Sequence, residues 1–261
     1  MGLDLLDPAL VGVVSPAKFD TTGLLTYNRC ATASGNDPNS STADASLGSA
    51  SEIIFSGGIT YEESGLPTLL NKSIEFDGGS SGTATATIGT SLSQFSALYK
   101  IEFDFTINFW YAKLEAEPDW ASVFLNMVVS SPKYGLQWKF DDRDGGELFE
   151  MSDKNNDVNI FGETSFGIPQ NLDFHMLTLT GKYNNNIKLY LDYNANDEVL
   201  TQLATPAGTG DSTIPLTLGW ETGLNQHWAG KLCEFSIFNR QISDAEVSQL
   251  YNSGNGLALV S

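Results

Sequence analysis

The segment between His227 and Gly256 constrains the fold more than any other part of the chain. It begins with AGKLCEFSIF, in which large apolar side chains occur at both odd and even positions. Neighbouring side chains of a strand point to opposite faces, so this pattern predicts a strand that is covered on both sides. One face is predicted to carry Leu232, Glu234, Ser236 and Phe238, and the other Cys233, Phe235 and Ile237.

A short amphipathic helix is predicted to follow this strand. Ser243 precedes Glu246 by three residues, which is the spacing of a capping box. Ile242 and Val247 stand at the positions of a hydrophobic staple, and Gly254 stands where a left-handed residue ends a helix. We therefore expect the chain to close with a strand and one short helix.

Much of the remaining chain alternates between apolar and polar residues, as β-strands do. Residues 175–194 predict a hairpin with an asparagine-rich turn at 184–186. We count about twelve to fourteen candidate strands, which favours a β-sandwich or a barrel. The clearest alternation predicts a half-buried strand whose apolar face carries Ile101, Phe103, Phe105, Ile107 and Phe109.

The charge balance excludes two classes of partner. Acidic residues outnumber basic residues by 32 to 13, which gives a net charge of −19. Such a surface repels phosphate groups, so we expect no binding to nucleic acid and no docking on anionic lipid. The chain also has no apolar run of the length that crosses a bilayer, so no membrane insertion is expected.

The first residues and the cysteines bear on the compartment. Asp4, Asp7 and Pro8 stand where an export signal would be apolar, so we expect synthesis in a cytoplasm without a signal peptide. Cys30 and Cys233 leave two alternatives. They form one bridge between the first and last parts of the fold, or they are two reduced thiols, which cytoplasmic synthesis favours.

Several segments, in order and spacing, resemble laminin G-like domains of the concanavalin A-like lectin/glucanase superfamily. The resemblance covers roughly residues 50–256. It implies an all-β fold, a two-sheet antiparallel jelly-roll sandwich with one short C-terminal helix. We divide the chain into an N-terminal docking extension with a long loop at 1–50 and the sandwich at 51–261. The segments are ITYEESGLPTLLNKSIEFDGG, FTINFWYAK, FHMLTLTGKYNNNIKLYLD, LTLGW and WAGKLCEFSIFNRQISDAEVSQLY.

The chain departs from these relatives at two positions. Tyr193 follows Asp192 where relatives usually carry a glycine, and Cys233 replaces an acidic residue before the glutamate of the closing strand. If that acidic residue helps to hold a cation in relatives, this chain lacks that cation ligand.

Glucanases of this superfamily use two carboxylates on one strand for retaining hydrolysis. The closest pairs here are Glu102 with Asp104 and Glu147 with Glu150. Neither pair reproduces the spacing of the E-x-D-x-E pattern, so we expect no catalysis, with a hydrolase kept as an alternative. The two histidines, His175 and His227, are expected to be packed or surface groups.

Calcium is the cofactor we consider, because short acidic turns supply the oxygen ligands that it prefers. The resemblance makes Asp77 the best candidate, and a second candidate group consists of Asp192 and Asn194. Solvated acidic turns without any cation are the alternative.

For a glycan, aromatic rings beside hydrogen-bonding groups are the expected recognition elements. The segment GWETGLNQHW provides Trp220, Asn225, Gln226 and Trp228. The alternative for these indoles is the sandwich core. The resemblance implies that Trp110, within INFWYAK, is buried.

Two functional hypotheses follow. The first is a non-catalytic structural or adhesive subunit on the exterior of a larger particle, such as a virion decoration, knob or fibre protein, with protein partners that include further copies of itself. The second is a carbohydrate-binding lectin or an accessory module of a glycan-degrading system, with an extracellular location. The docking residues of the first hypothesis are Leu5, Leu6, Leu10, Val11 and Val13.

Overall fold

The computed structural model describes most of the sandwich, and its strands and helix are numbered in chain order. The described residues are 18–30, 53–63, 72–78, 85–88, 104–114, 121–128, 134–141, 146–152, 159–163, 173–182, 187–193, 196–200, 216–221 and 226–259.

Seventeen strands and one α-helix form from the described residues. The first nine strands are β1 Leu24–Asn28, β2 Ile53–Ser56, β3 Ile59–Glu63, β4 Ser73–Asp77, β5 Thr85–Ile88, β6 Asp104–Lys113, β7 Ala121–Val128, β8 Tyr134–Asp141 and β9 Gly146–Ser152. The others are β10 Asn159–Glu163, β11 His175–Lys182, β12 Ile187–Leu191, β13 Asn196–Leu200, β14 Leu216–Leu218, β15 Trp220–Glu221, β16 Gln226–His227 and β17 Ala229–Phe238, followed by helix α1 Asp244–Tyr251 and a 3-10 turn at Asn252–Gly254.

The strands form two large antiparallel sheets, which confirms the predicted all-β sandwich with one short C-terminal helix. The eight-stranded sheet has the order β13-β12-β11-β6-β17-β4-β3, with β1 also paired to β17. The seven-stranded sheet has the order β10-β9-β8-β7-β14-β5-β2, and β15 pairs with β16 separately. The described strands outnumber the prediction partly because strands as short as β15 and β16 leave no periodic pattern.

An inner core contains apolar residues from both large sheets. Alternate residues of β6 face it, as the period-two pattern predicted. The seven-stranded sheet contributes through β2, β5 and β14. The residues on these strands are Phe105, Ile107, Phe109, Tyr111, Ile53, Ile88, Leu216 and Leu218.

A second, outer core covers part of the opposite face of the eight-stranded sheet. It joins Trp110 and Met176 to residues of α1, of the N-terminal segment and of the C-terminal tail. Strand β6 is therefore buried on both faces, and the prediction of a half-buried strand was wrong. Thr106 and Asn108 tolerate burial because their side chains form hydrogen bonds of 2.7 Å with Thr180 and Thr178 respectively.

Strand β17 is covered on both faces, as predicted, but a bulge changes its alternation. Glu234 has a φ of +53°, and the register with β6 shifts between Cys233 and Ser236. Leu232, Phe235 and Ile237 consequently pack in the inner core, whereas Cys233 and Phe238 pack in the outer core. The predicted division of faces was wrong beyond Cys233, because a bulge places two residues opposite one.

The capping box of α1 is confirmed. The Ser243 hydroxyl accepts the backbone N–H of Glu246, and the Glu246 carboxylate accepts the backbone N–H of Ser243 at 2.8 Å. Asn252, with a φ of +48°, is the left-handed cap. The helix therefore ends before Gly254, which has a positive φ in the next turn.

The N-terminal extension contributes directly to the sandwich through residues 18–30. Strand β1 pairs with β17, and all five of its residues are buried. Arg240 donates from Nε to the carbonyl of Thr22 and from Nη2 to the carbonyl of Asp20, both at 2.7 Å. The expected docking residues lie outside the described part of the chain. They are Leu5, Leu6, Leu10, Val11 and Val13.

Within the described ranges, no helix has the length and apolar character required to span a membrane.

Candidate functional site

One end of the eight-stranded sheet carries four of the titratable side chains that the sequence singled out, namely Asp77, His175, Asp192 and His227. Antiparallel pairing brings the ends of β4, β6 and β12 beside the starts of β11 and β17. We call this end the loop rim and define it by Asp77, Lys113, His175, Asp192 and His227. Residues that are far apart in the sequence are neighbours here because successive strands run in opposite directions.

Asp77 and His227 occupy one side of the loop rim. Asp77 is the last residue of β4 and pairs in register with Ala229, two residues after His227. His227 is 6% exposed. Burial lowers the pKa of His227, and the charge of Asp77 opposes that shift. The structure therefore brings the first calcium candidate beside the predicted glycan segment.

Trp228 is a core residue, and its assignment to a glycan platform was wrong. Its side chain is 0% exposed and contacts the Phe76 ring, with centroids 5.4 Å apart. A Cβ at Gly230 would collide with the Trp228 indole, and a Cβ at Gly219 would collide with Phe76. Both glycines therefore leave room for this aromatic pair, whose burial excludes contact with a surface ligand.

The other residues of the predicted glycan segment are placed only in part. Trp220 pairs in register with His227, and Glu221 pairs with Gln226, in the small β15–β16 sheet. Asn225 lies outside the described residues. The backbone of this segment therefore adjoins the loop rim, and its role in binding stays a prediction.

Asp192 and His175 occupy the opposite side of the loop rim. The Asp192 carboxylate lies 2.5 Å from Nδ1 of His175 and accepts the backbone N–H of Met176 at 2.8 Å. The backbone N–H of Asp192 donates in turn to the carbonyl of Met176 at 3.0 Å. This carboxylate therefore fastens the turn after β12 to the start of β11.

The two calcium candidates do not form one site. Three strands separate β12 from β4, which at about 4.8 Å per step places Asp192 roughly 19 Å from Asp77. Calcium ligands lie at about 2.4 Å from the ion, so no single ion reaches both carboxylates. Asn194 lies outside the described residues, and the described residues contain no group of three His, Cys, Asp or Glu side chains arranged for a metal.

The Asp192 carboxylate is poorly available to a calcium ion. Both oxygens of the Asp192 carboxylate already accept hydrogen bonds, one of them from an imidazole. Asp77 is half-buried beside a glycine with a φ of +67°, and calcium binding by its carboxylate stays a prediction. A calcium ion would supply a fixed positive charge at this side of the loop rim.

A buried polar cluster connects the first and last parts of the fold. Glu234 is 3% exposed, accepts a hydrogen bond from the Tyr27 hydroxyl and lies 3.4 Å from Nε of Arg29. Burial raises the pKa of the Tyr27 hydroxyl well above its usual value, so it remains a donor. The same hydroxyl accepts the backbone N–H of Leu259 at 3.0 Å.

The two cysteines flank this cluster as buried thiols that are not joined by a disulfide. Cys30 packs in the inner core and Cys233 in the outer core. Burial, with the nearby charges of Glu234 and Cys30, raises the pKa of the Cys233 thiol. Cys233 thus fills apolar space in the outer core.

The acid pairs weighed for catalysis are described only in part. Asp104 accepts a hydrogen bond of 2.9 Å from Gln241, and Glu102 lies outside the described residues. Glu147 and Glu150 lie on β9 in register with Phe140 and Gln137 respectively.

The sequence patterns did not predict the aromatic residues at the Asp192 side of the loop rim. Tyr251 ends α1 and stacks on Trp110, and Tyr193 lies beside Tyr251. The departure from glycine at Tyr193 was the one signal available. Trp110 is 1% exposed, which confirms its predicted burial.

Comparisons with known proteins agree with this fold. A family model described as the concanavalin A-like lectin/glucanases superfamily matches residues 76–248 of the 261. No curated protein sequence matches the chain.

Solved structures with a similar fold include toxin binding domains and a sialidase. The binding domain of Paraclostridial mosquitocidal protein 1 has 16% identity and a TM-score of 0.58, over 89% of this chain and 52% of that chain. Trypanosoma rangeli sialidase in complex with sialic acid has 11% identity and a TM-score of 0.62, over 92% and 34%. A binding domain of botulinum neurotoxin DC in complex with SialylT has 15% identity and a TM-score of 0.57, over 88% and 51%.

This chain spans about half the length of the toxin binding domains and about a third of the sialidase. At these identities the similarity shows a shared fold. The family match covers most of both large sheets and reaches into α1. The chain belongs to the concanavalin A-like lectin/glucanases superfamily, as the predicted resemblance to its laminin G-like domains implied.

Proposed function

We propose that this protein is a non-catalytic, lectin-like recognition subunit that binds a saccharide at the loop rim. The observation that carries the proposal is that Asp77, His175, Asp192 and His227 lie along one end of the eight-stranded sheet. Carboxylates and imidazoles are hydrogen-bonding partners for sugar hydroxyls. Binding residues generally lie on loops that a rigid scaffold positions, and this end consists of strand ends and turns.

The covered outer face of the eight-stranded sheet supports the choice of the loop rim. Helix α1, the N-terminal segment and the C-terminal tail occupy that face with apolar side chains. A ligand is therefore more readily accommodated where the strands end than across the middle of this sheet.

The similar structures also support a recognition role. They are binding domains, one of them in complex with SialylT, and a sialidase in complex with sialic acid. With a net charge of −19, this chain attracts anionic sugars poorly, so we propose a neutral saccharide as its ligand.

A glycan array tests the proposal. The wild-type protein is expected to bind a subset of neutral glycans, and His227→Ala is expected to weaken that binding. Lys188→Ala, on the same sheet but away from the loop rim, is the matched control. An array without binding for the folded wild-type protein contradicts the proposed function.

We further propose that the subunit acts on the exterior of a larger particle, such as a virion decoration, knob or fibre protein. The acidic composition, which suits an exposed and soluble surface, and the apolar stretch around Leu5 to Val13 support this setting. Electron microscopy of the native particle, with an antibody against the protein, is expected to label its surface. A protein that remains a monodisperse monomer and labels no particle favours the free lectin.

A further inference from the structure

We propose that Tyr193 and Tyr251 form an aromatic subsite for one ring of a neutral saccharide at the Asp192 side of the loop rim. This inference rests on the proposed function and adds to it a subsite and a mode of contact.

Three aromatic rings lead from the outer core towards the surface. The Trp110 indole is buried and stacks on Tyr251 with centroids 5.8 Å apart and an interplanar angle of 6°. The Tyr193 ring follows at 6.5 Å from Tyr251, with an angle of 34°. Both tyrosines are partly buried and pack against the outer core, so the stack holds them in fixed positions.

The backbone places Tyr193 in a conformation that a tyrosine rarely adopts. Asp192 and Tyr193 have φ values of +51° and +54°. A left-handed conformation costs a non-glycine residue about 1–2 kcal/mol. Because the flanking turn is fixed by the bonds from Asp192 to His175 and Met176, the strained residue directs its ring to one position. Strain of this kind is concentrated at binding sites.

Polar groups border the aromatic surface. The Asp192 carboxylate lies close enough to Tyr251 for its charge to raise the pKa of that phenol, after the larger effect of burial. The indole Nε1–H of Trp110 is buried and has no hydrogen-bond acceptor among the described residues. A carboxylate and two phenols thus offer acceptors and donors beside the rings.

Aromatic rings bordered by polar groups match the chemistry of a pyranose, which has an apolar face surrounded by hydroxyl groups. The axial C–H groups of a sugar form an apolar face, which meets the negative face of an aromatic ring. The sugar hydroxyls around that face then reach the carboxylate and the phenols. For a planar ligand to fit between the two tyrosine rings, the rings would have to be about 7 Å apart, twice the usual contact distance. The tilted tyrosines are closer than that, so they present one continuous surface instead of a slot.

The test measures sugar binding by saturation-transfer NMR and by titration. The probes are the methyl glycosides of galactose, glucose, mannose and N-acetylglucosamine, with sialyllactose as the anionic comparison. We expect saturation transfer to the ring protons of at least one neutral glycoside. Tyr193→Gly should weaken its binding about tenfold, which corresponds to the loss of one aromatic contact.

Four variants separate binding from folding. Glycine adopts a positive φ without strain, so Tyr193→Gly should keep the fold, and Tyr193→Asn is a second non-aromatic variant that tolerates this backbone. Tyr193→Phe keeps the ring and should retain most of the affinity. Tyr61→Ala removes another partly buried tyrosine, five strands away on β3, and should leave the affinity unchanged.

The results distinguish this subsite from the proposed function. Unchanged binding in Tyr193→Gly and Tyr193→Asn, together with loss in His227→Ala, overturns the subsite and leaves the loop rim as the binding site. Equal losses in Tyr61→Ala and Tyr193→Gly also overturn it. Absence of binding to every probe, and to the array, overturns both proposals.

Discussion

Glu234 illustrates how single residues connect distant parts of this chain. A buried carboxylate is tolerated when hydrogen-bond donors surround it. Tyr27 and Arg29 provide such donors from the first described segment, and the backbone N–H of Leu259 binds the same Tyr27 hydroxyl. These contacts tie β1, β17 and the C-terminal tail together.

Replacing Tyr27 with Phe tests this cluster. The substitution removes one donor to Glu234 and the acceptor of the Leu259 N–H, while it keeps the ring. We expect the free energy of unfolding to fall by about 2 kcal/mol, because buried polar groups lose partners. Urea denaturation measures the change. Tyr61→Phe, which keeps a half-buried ring on β3, is the control, and an equal loss in both variants would show that the cluster has no special role.

His227 predicts a dependence of stability on pH. Burial holds its pKa in the folded protein below the value of the unfolded chain, so unfolding takes up a proton at mildly acidic pH. This contribution to stability is complete above the unfolded pKa of about 6.5 and is lost as the pH falls through the folded value.

Chemical denaturation at pH 7.5 and at 5.5 measures that loss. His227→Gln should reduce the fall in stability between the two values, because glutamine does not titrate. The acidic residues with lowered pKa values, such as Asp244 and Glu246, lose their contributions at lower pH. The same pH dependence in wild type and His227→Gln would assign the effect to another group.

Among the elements, α1 was the one that the sequence predicted best. Its start depends on a local signal, the spacing of Ser243 and Glu246, and the structure has that capping box. The bulge in β17 depends on the hydrogen bond from the Glu234 N–H to the Arg29 carbonyl and on the distant Tyr27. A pattern of neighbouring residues contains no information about such contacts, so the face assignment failed there.

The sequence did not predict that the polar face of β6 is buried, for a similar reason. Thr106 and Asn108 look solvent-exposed in a pattern because they are polar. They bind Thr180 and Thr178 across the sheet, and Thr106 also accepts the backbone N–H of Ile242 at 3.2 Å. Only the tertiary position of the segment before α1 shows that this face is covered.

The cap of α1 predicts a stability change at the scale of one element. Ser243→Ala removes the acceptor for the Glu246 N–H, and we expect a loss of about 1 kcal/mol. Thermal denaturation measures it. Ser253→Ala, in the turn beyond the helix, should change the melting temperature little. A Ser243→Ala protein as stable as wild type would show that tertiary contacts, such as those of Arg240 with Glu246 at 2.6 Å, suffice to hold the helix.

At the scale of the whole molecule, the fold was predictable and the site was predictable in part. Strand and helix signals predicted the all-β class because they depend on local periodicity. The superfamily followed from the resemblance of five ordered segments to laminin G-like domains. The prediction that Trp228 contacts a ligand was wrong because an indole has the same sequence signal in a core and at a binding site. The proximity of Asp77 to His227, and of Tyr193 to Tyr251, arises from strand pairing and helix packing.

Calcium binding is tested by a titration with two matched variants. If Asp77 contributes to a calcium site, added calcium raises the melting temperature of the wild-type protein and EDTA reverses the rise. Asp77→Asn should abolish the rise, whereas Asp192→Asn should retain it because Asp192 binds His175 and Met176. A melting temperature that neither calcium nor EDTA moves excludes a structural calcium ion.

Hydrogen–deuterium exchange, with and without the neutral glycan that binds best, tests the central claim most directly. The account predicts slower exchange at the strand ends of the loop rim, in residues 76–78, 173–176, 191–193 and 226–229. Exchange at the other end of the sheet, in residues 104–106 and 180–182, should stay unchanged. Protection confined to that other end, or to the seven-stranded sheet, would contradict the account.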